Sequence, residues 1–241
     1  MTTSLIYFTG KGTNDEAYNA ARLLAFTKST RLQMTPDGLD KFMSMSIEEL
    51  HSEMNYMSAT IASSWEFVDL IFAINDVSRA CAQQITRTRT ASFAMQSQRV
   101  TDMSQVTFHT PESIKDKGSY QASLQRSLQD YKARVDGGES LEDARGLLPM
   151  NSHCNLIAKY NLRNWVDLVR ARQSLRVQGE YQQVVAQMKS AVLSTWPWTE
   201  TFIEPKANKA IAIIEEIAKT LPHEDKIKLA KAADLIKKDA S

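Results

Sequence analysis

Acidic residues are missing from one stretch of this chain. Val77 to Thr101, VSRACAQQITRTRTASFAMQSQRVT, carries Arg79, Arg87, Arg89 and Arg99 without one Asp or Glu. Other absences narrow the class. The two cysteines, Cys81 and Cys154, lie far apart and outside any CxxC or Cys/His spacing, which excludes a disulfide framework and a zinc site; no metal is expected, and the thiols read as reduced, in a cytoplasmic protein. The four histidines, His51, His109, His153 and His223, are scattered, with neither metal spacing nor a Ser/His/Asp pattern. No long apolar run exists: the N-terminal MTTSLIYFTGKG is too short for a signal h-region, and no later segment reaches bilayer length, so no membrane partner is expected. Net charge is only +1, which argues against a general polyanion binder and against direct nucleic-acid contact. Gly10 and Gly12 lack the following GK[ST] of a phosphate loop.

What is present begins with those arginines. Arginines without carboxylate partners in a Gln/Ser/Thr-rich segment look for an anion elsewhere, and the guanidinium fork suits phosphate. A phosphorylated ligand is the first expectation; an exposed basic face, or an arm touching nucleic acid, is the competing one. A second cluster, Arg163, Arg170, Arg172 and Arg176, has Asp167 at helical spacing, so a salt-bridged solvated face competes there too. No side-chain nucleophile or general base declares itself, and such a phosphate-binding enzyme leaves the hard chemistry to an organic cofactor.

The local pattern alternates strand and helix. Ser4 to Thr9 reads as a strand, with Asn14 capping a helix to about Leu24. Pro36-Asp37-Gly38 marks a turn, and Ser46 with Glu49 forms a capping box for a helix running towards Ser58. Glu66 to Asn75 reads as a strand, with helix from about Val77 and a long polar loop from Thr101 to Gly118. Ser119 to Asp136 is helical and stopped by Gly137-Gly138; a short helix follows from Ser140. Cys154 to Tyr160 reads as a strand, with Leu162 to Arg172 and Val177 to Ser194 as helices. From about Lys206 the chain is Ala/Ile/Lys/Glu-rich and helical, broken at Pro222. The division is a domain over 1–204 and a C-terminal helical extension over 205–241.

The motif itself then becomes recognisable. Arg87, Arg89, Ser92, Ser97 and Arg99 resemble the R-H-R-x-x-S, four residues, S-x-R-Y signature of the flavin-dependent thymidylate synthases, with Gln84 at the family's upstream Gln. Arg145-Gly-Leu-Leu-Pro149-Met-Asn151 is similar to its A-R-x-x-L-P-x-N element, Asn161-Leu-Arg163 to N-x-R, and Val177-Gln178-Gly-Glu180 to A-Q-x-E; Arg172 falls at the family's late-helix arginine. The resemblance implies an α/β (α+β) fold of the thymidylate synthase-complementing type, with a central mixed sheet flanked by helices in a homotetramer. It implies FAD as cofactor, NADPH as reductant, methylenetetrahydrofolate as one-carbon donor and dUMP as acceptor. Carried over by residue, the nucleotide is held by Gln84, Gln96, Ser97, Gln98, Arg99 and Arg145, and Arg172 contacts the pyrimidine as the catalytic charge. FAD is held by Arg87, Thr88, Arg89, Thr90, Asn161, Arg163 and Asp167.

Departures from the pattern are specific. Thr88 stands where the family has His, Val100 where it has Tyr, and Met95 replaces a usually polar residue. Ile61 to Phe67 corresponds to H-x-x-x-x-E-H but keeps only the Glu, Glu66. Three readings stay open: a divergent thymidylate synthase, a related methylation or hydroxymethylation of dUMP or dCMP, and a non-catalytic binder of nucleotide or flavin.

Overall fold

Alternating apolar residues build the sheet on which everything else is hung. The computed structural model describes residues 1–31, 38–60, 62–172 and 179–203. In chain order the elements are β1 (Thr2–Phe8), α1 (Asn19–Thr27), α2 (Gly38–Met43), α3 (Ile47–Met57), β2 (Asp69–Ser78), α4 (Arg79–Ile85), β3 (Ser92–Met95), α5 (Lys117–Asp136), α6 (Leu141–Ala144), β4 (His153–Asn161), α7 (Leu162–Arg172), α8 (Gly179–Thr195) and α9 (Glu200–Ile203). Contacts divide the chain into two units, one made of Met1–Thr9 with Asp69–Ala191, the other of Gly10–Val68 with the residues from Val192.

In the first unit the strand order is β1-β2-β4-β3. The α+β class is the expected one, but the sheet is antiparallel at every pairing among the described residues rather than mixed. The reason is topological: β2 and β3 run the same way, yet β4 lies between them and opposes both. Period-2 alternation buries Leu70, Phe72 and Ile74 of β2 and Cys154, Leu156, Ala158 and Tyr160 of β4, while Asn155, Ile157 and Lys159 point to the exposed face. Helix α5 is capped at Asp116, whose carboxylate accepts the Ser119 N–H at 3.0 Å. It stops at Gly137-Gly138, where Gly138 takes φ +86° and the Glu139 N–H returns to the Arg134 carbonyl. Leu128 and Tyr131 of α5 pack with Met103 and Ala144, and the Tyr131 hydroxyl accepts the Met103 N–H at 3.1 Å.

The second unit is helical and aromatic. Trp65 meets Phe202 edge to face at 4.9 Å, and Trp196 stacks on Trp198 at 5.3 Å. Both indoles of that stacked pair donate, to the Glu16 and Ala17 carbonyls. The expected capping box is present at α3: the Ser46 hydroxyl accepts the Glu49 N–H, and Glu49 accepts the Ser46 N–H at 2.9 Å. Those bonds hold the Glu49 carboxyl below its ordinary value.

Several boundaries move for local reasons. The first helix begins at Asn19, not Asn14, because Gly10 and Gly12, both at positive φ, open a turn that Asn19 closes on Thr13. The strand expected at Glu66 begins at Asp69: Ala62–Phe67 forms a 3-10 turn that buries Trp65 and lets its indole donate to the Met57 carbonyl. Helix α4 waits for Arg79 because Ser78 is its cap. The short elements α2 and β3 were not expected from the sequence. Residues 36 and 37 of the expected turn, Gln178 with the start of the helix expected over Val177 to Ser194, and the helical extension expected over 205–241 lie outside the described residues. No described helix is long and apolar enough to cross a membrane.

Candidate active site

The acid-free stretch owes its shape to a carboxylate from far along the chain. At the end of β2 the register shifts between Ile74 and Val77, and Asp76 adopts φ +56°, its N–H accepted by the Asn155 side chain at 2.9 Å. Two residues later Glu180, with a side chain 1 % exposed, accepts both the Ser78 N–H at 2.6 Å and the Ser78 hydroxyl at 2.5 Å. The same Ser78 oxygen accepts the Cys81 N–H at 3.0 Å and so starts α4. His109 Nε2 stands 3.8 Å from Glu180. Sequence reading placed Glu180 in a motif but gave it no task; its task is to aim the helix that carries Gln84.

After α4 the chain turns through Thr86 to Ala91. Arg87 and Arg89 are exposed, and among the described residues no carboxylate pairs with either. The turn is fixed at its far end, where the Asn164 side-chain amide donates to the Thr90 carbonyl at 2.7 Å. Asn161 Oδ1 in turn accepts the Asn164 N–H at 2.9 Å and begins α7. The structure therefore brings Thr90 and Asn161 together through Asn164, a residue that sequence reading missed. An Asn three positions after a helix-starting Asn was the available signal. Arg163 is half-buried and Asp167 exposed on the same helix; burial lowers the Arg170 pKa, against the pull of Asp167.

The nucleotide-side residues follow β3. Gln96 continues that strand's pairing: its N–H reaches the Asn155 carbonyl at 2.9 Å and its side-chain oxygen accepts the Asn155 N–H at 3.3 Å. It borders a polar groove of about 250 Å³ shared with Asp76, Asp102, Thr107 and His153. Ser97 accepts the Arg99 N–H at 3.2 Å, and Gln98 is buried with its Nε2 unpaired. Arg99 Nη1 lies 3.9 Å from the Glu142 carboxylate while Arg145 Nε donates to the Glu142 carbonyl at 3.1 Å. Two motif arginines from separate segments thus meet at one residue. Arg79 Nη1 lies 3.8 Å from the Met95 sulfur, a weak acceptor.

The remaining position is the end of α7. The Arg172 guanidinium lies over the Tyr181 ring, 5.0 Å from its centroid, a cation–π contact. Burial raises the Tyr181 and Tyr160 phenols above their ordinary value. Cys81 and Cys154 are buried and unbridged, and burial pushes both thiols up, so neither is a thiolate nucleophile at neutral pH. Among the described residues, no three His, Cys, Asp or Glu groups are placed to share a metal ion.

An antiparallel α+β fold that carries arginines on the turn after α4, on the segment after β3 and at the end of α7 is the fold of the enzyme class to which the relatives of this chain belong. Residues 4–198 match the family described as thymidylate synthase complementing protein, and the chain belongs to that family. It is 28 % identical over 177 residues to the flavin-dependent thymidylate synthase of Geobacter sulfurreducens, covering 65 % of this chain and 74 % of that one. The enzyme of the same name from Halobacterium salinarum is 27 % identical over 193 residues, covering 68 % and 76 %, and that of Pyrococcus furiosus is 35 % identical over 131 residues, covering 51 % and 54 %. Among solved structures, a UMP/dUMP methylase, PolB of Streptomyces cacaoi, bound with 5-Br dUMP, superposes with a TM-score of 0.64 at 19 % identity, covering 83 % of this chain and 94 % of that one. That likeness shows the fold.

Proposed function

We propose that this chain is a flavin-dependent methyltransferase that moves a one-carbon unit from methylenetetrahydrofolate to dUMP, with NADPH as reductant, giving dTMP. The observation that carries the reading is the meeting of Arg99 and Arg145 at Glu142. Arg99 reaches the Glu142 carboxylate and Arg145 its main-chain carbonyl, and the exposed Arg99–Glu142 pair at 3.9 Å is weak enough to yield to a phosphate. Ser97 and Gln98 beside them supply short hydrogen bonds, with Gln84 on α4 and Gln96 on the groove.

The residues present also fit a flavin nucleotide. Among the described residues Arg87 and Arg89 have no carboxylate to surrender, and the turn that carries them with Thr88 and Thr90 is pre-set by Asn164. Asn161, Arg163 and Asp167 approach from the helix that Asn164 belongs to and its start. When bound, the flavin supplies the hydride. The chain's own part is to bind the phosphates and, through Arg172, to hold a fixed positive charge where negative charge develops on a pyrimidine carbonyl. The activity for which the relatives are named, and the 5-Br dUMP bound to the superposed methylase, support this assignment. Catalysis belongs to residues 1–204, in a cytoplasmic homotetramer, with 205–241 as an extension; exposed Tyr7 and Ile157 on the sheet strands support subunit contact. Thr88, Met95 and Val100, the last 70 % exposed, favour a second reading in which the product is a hydroxymethylated or methylated dUMP or dCMP.

Two measurements test this. The purified chain, alone or reconstituted with FAD, should absorb in the visible; a chain that stays colourless overturns the flavin reading. Incubation with NADPH, methylenetetrahydrofolate and either dUMP or dCMP, followed by mass analysis, should show a methyl group added to dUMP. A hydroxymethyl product, or a product from dCMP, selects the second reading.

A further inference from the structure

The hydrogen bonds that hold the nucleotide-side segments together converge on one short stretch of chain, residues 150–155. On one side this stretch holds the start of α4: the Met150 carbonyl accepts the Ala80 N–H at 3.0 Å and the Ser152 carbonyl accepts the Arg79 N–H at 2.9 Å. On the other it holds the segment after β3, because the Asn155 carbonyl accepts the Gln96 N–H at 2.9 Å and the Asn155 N–H is accepted by the Gln96 side chain at 3.3 Å. All of these use main-chain atoms of 150–155, which substitution there does not remove. One bond is different. Asn155 Oδ1 accepts the Asp76 N–H at 2.9 Å, and Asp76, two residues ahead of the α4 cap Ser78, is the one non-glycine residue at positive φ among the described residues, at +56°. A residue with a Cβ is disfavoured in that conformation and keeps it only where its neighbours over-determine it.

Asn155 is exposed, at a place on the outer face of β4 where an amide is ordinarily free to change. Here it grips two segments at once, the Asp76 turn through its side chain and Gln96 through its backbone, and the three residues border one groove. We propose that Asn155 is a positioning residue for the nucleotide: by clamping the Asp76 turn while pairing with Gln96, it sets the spacing between α4, which carries Gln84, and the segment Gln96 to Arg99. This rests on the nucleotide reading above. Without the Oδ1 acceptor, water satisfies the exposed Asp76 N–H, but nothing then opposes the return of Asp76 to negative φ. The turn shifts, and Gln84 leaves its register with Ser97 and Arg99. The turn on the flavin side is fixed separately, by Asn164 at the Thr90 carbonyl, so the effect falls on one ligand.

The test is equilibrium titration of the full chain with FAD and, after FAD supplementation, with dUMP, in wild type, Asn155→Ala, Asp76→Gly and the double variant. Asn155→Ala should weaken dUMP about fivefold and leave FAD affinity unchanged. Asp76→Gly should bind dUMP like wild type, because glycine adopts positive φ without strain, and in its background Asn155→Ala should lose little further affinity. A merely structural amide predicts the opposite pattern: equal losses for both ligands that track the fall in melting temperature, with no relief from glycine. That pattern, or unchanged dUMP binding in Asn155→Ala, overturns the positioning role and leaves the nucleotide reading standing. A wild type that binds FAD but no dUMP overturns the nucleotide reading, and the positioning role with it.

Discussion

The turn at Arg87 to Arg99 and the cluster at Arg172 both depend on arginine, yet they are built in opposite ways. In the first, exposed guanidinium groups ride on a backbone held by Ser78, Asn164 and the β3 pairing. In the second, a half-buried guanidinium stacks on a fully buried phenol among polar atoms without partners. Exposed arginines on a rigid turn suit a charged, solvated group such as phosphate, where Coulomb attraction is screened and geometry does the sorting. Buried polar groups suit a neutral ring, because a low-dielectric pocket strengthens each dipole and punishes each mismatch. Glu180 and Tyr181 are neighbours on α8, so one helix start serves both regions: its Glu aims the turn and its Tyr floors the cluster.

The largest test of this contrast is Arg172→Ala. If that arginine polarises the ring, turnover of dUMP should fall by about 10²–10³-fold with a far smaller change in melting temperature. A mutant that merely binds nucleotide more weakly, with kcat intact at saturation, would place Arg172 with the phosphate contacts instead. Glu180→Ala comes next and reads out as stability. It strands the Ser78 N–H and hydroxyl in the interior, at a cost of about 2–4 kcal/mol, or roughly 4–16 °C in melting temperature for a chain of this size. Glu180→Gln, which still offers an acceptor, should recover part of the loss. Equal losses in the two variants would mean that charge, not hydrogen bonding, holds the junction.

A third comparison uses salt. Arg87→Ala and Arg99→Ala should each weaken their phosphate-bearing ligand by about tenfold at low ionic strength, with the deficit shrinking as salt rises and screening weakens the wild-type contact. Arg172→Ala, made at a half-buried guanidinium stacked on a ring, should show a deficit that salt changes far less. A common salt dependence would erase the distinction between the two regions.

Legibility in the sequence followed the same division. The cap at Ser46, the glycine stop at 137–138 and the helix over Leu162 to Arg172 rest on local chemistry, and each stands where local chemistry puts it. Strand β3 was hidden because its exposed residues are small or polar and only its pairing with β4 makes it a strand. The mixed-sheet expectation came from the resemblance and not from the residues, since strand direction is decided by the order in which distant segments pair. Within the site, the arginines were legible from composition, since a run of them without acids announces itself; that Arg99 meets a carboxylate from outside the run, Glu142, was not. Glu180, Asn164 and the two phenols were not, because a buried carboxylate, a turn-clamping amide and an orphaned hydroxyl acquire meaning only from the residue opposite. Family resemblance supplied Arg172; nothing in the sequence supplied the ring beneath it.

The smallest expected effect concerns His153, which borders the groove of the first region and hydrogen-bonds Thr107 through Nδ1 at 2.8 Å. Burial outweighs the attraction of Asp76 and Glu180 and holds this imidazole below its ordinary 6.5. The folded chain therefore binds fewer protons than the unfolded one in the interval between the depressed value and 6.5. Stability from neutral His153 is complete above 6.5 and is lost as pH falls through the depressed value. His153→Gln removes that dependence while keeping a polar partner for Thr107. Its melting temperature should accordingly fall less than wild type's between about pH 7 and 5, by an amount on the order of 1–2 °C, and the Arg172 cluster, whose phenols are held above their ordinary range, should add no slope of its own up to about pH 9. An acid slope identical in the two proteins would mean that His153 charges freely in the folded state, and the groove beside Gln96 would then be a wet, exposed surface rather than a wall of the site.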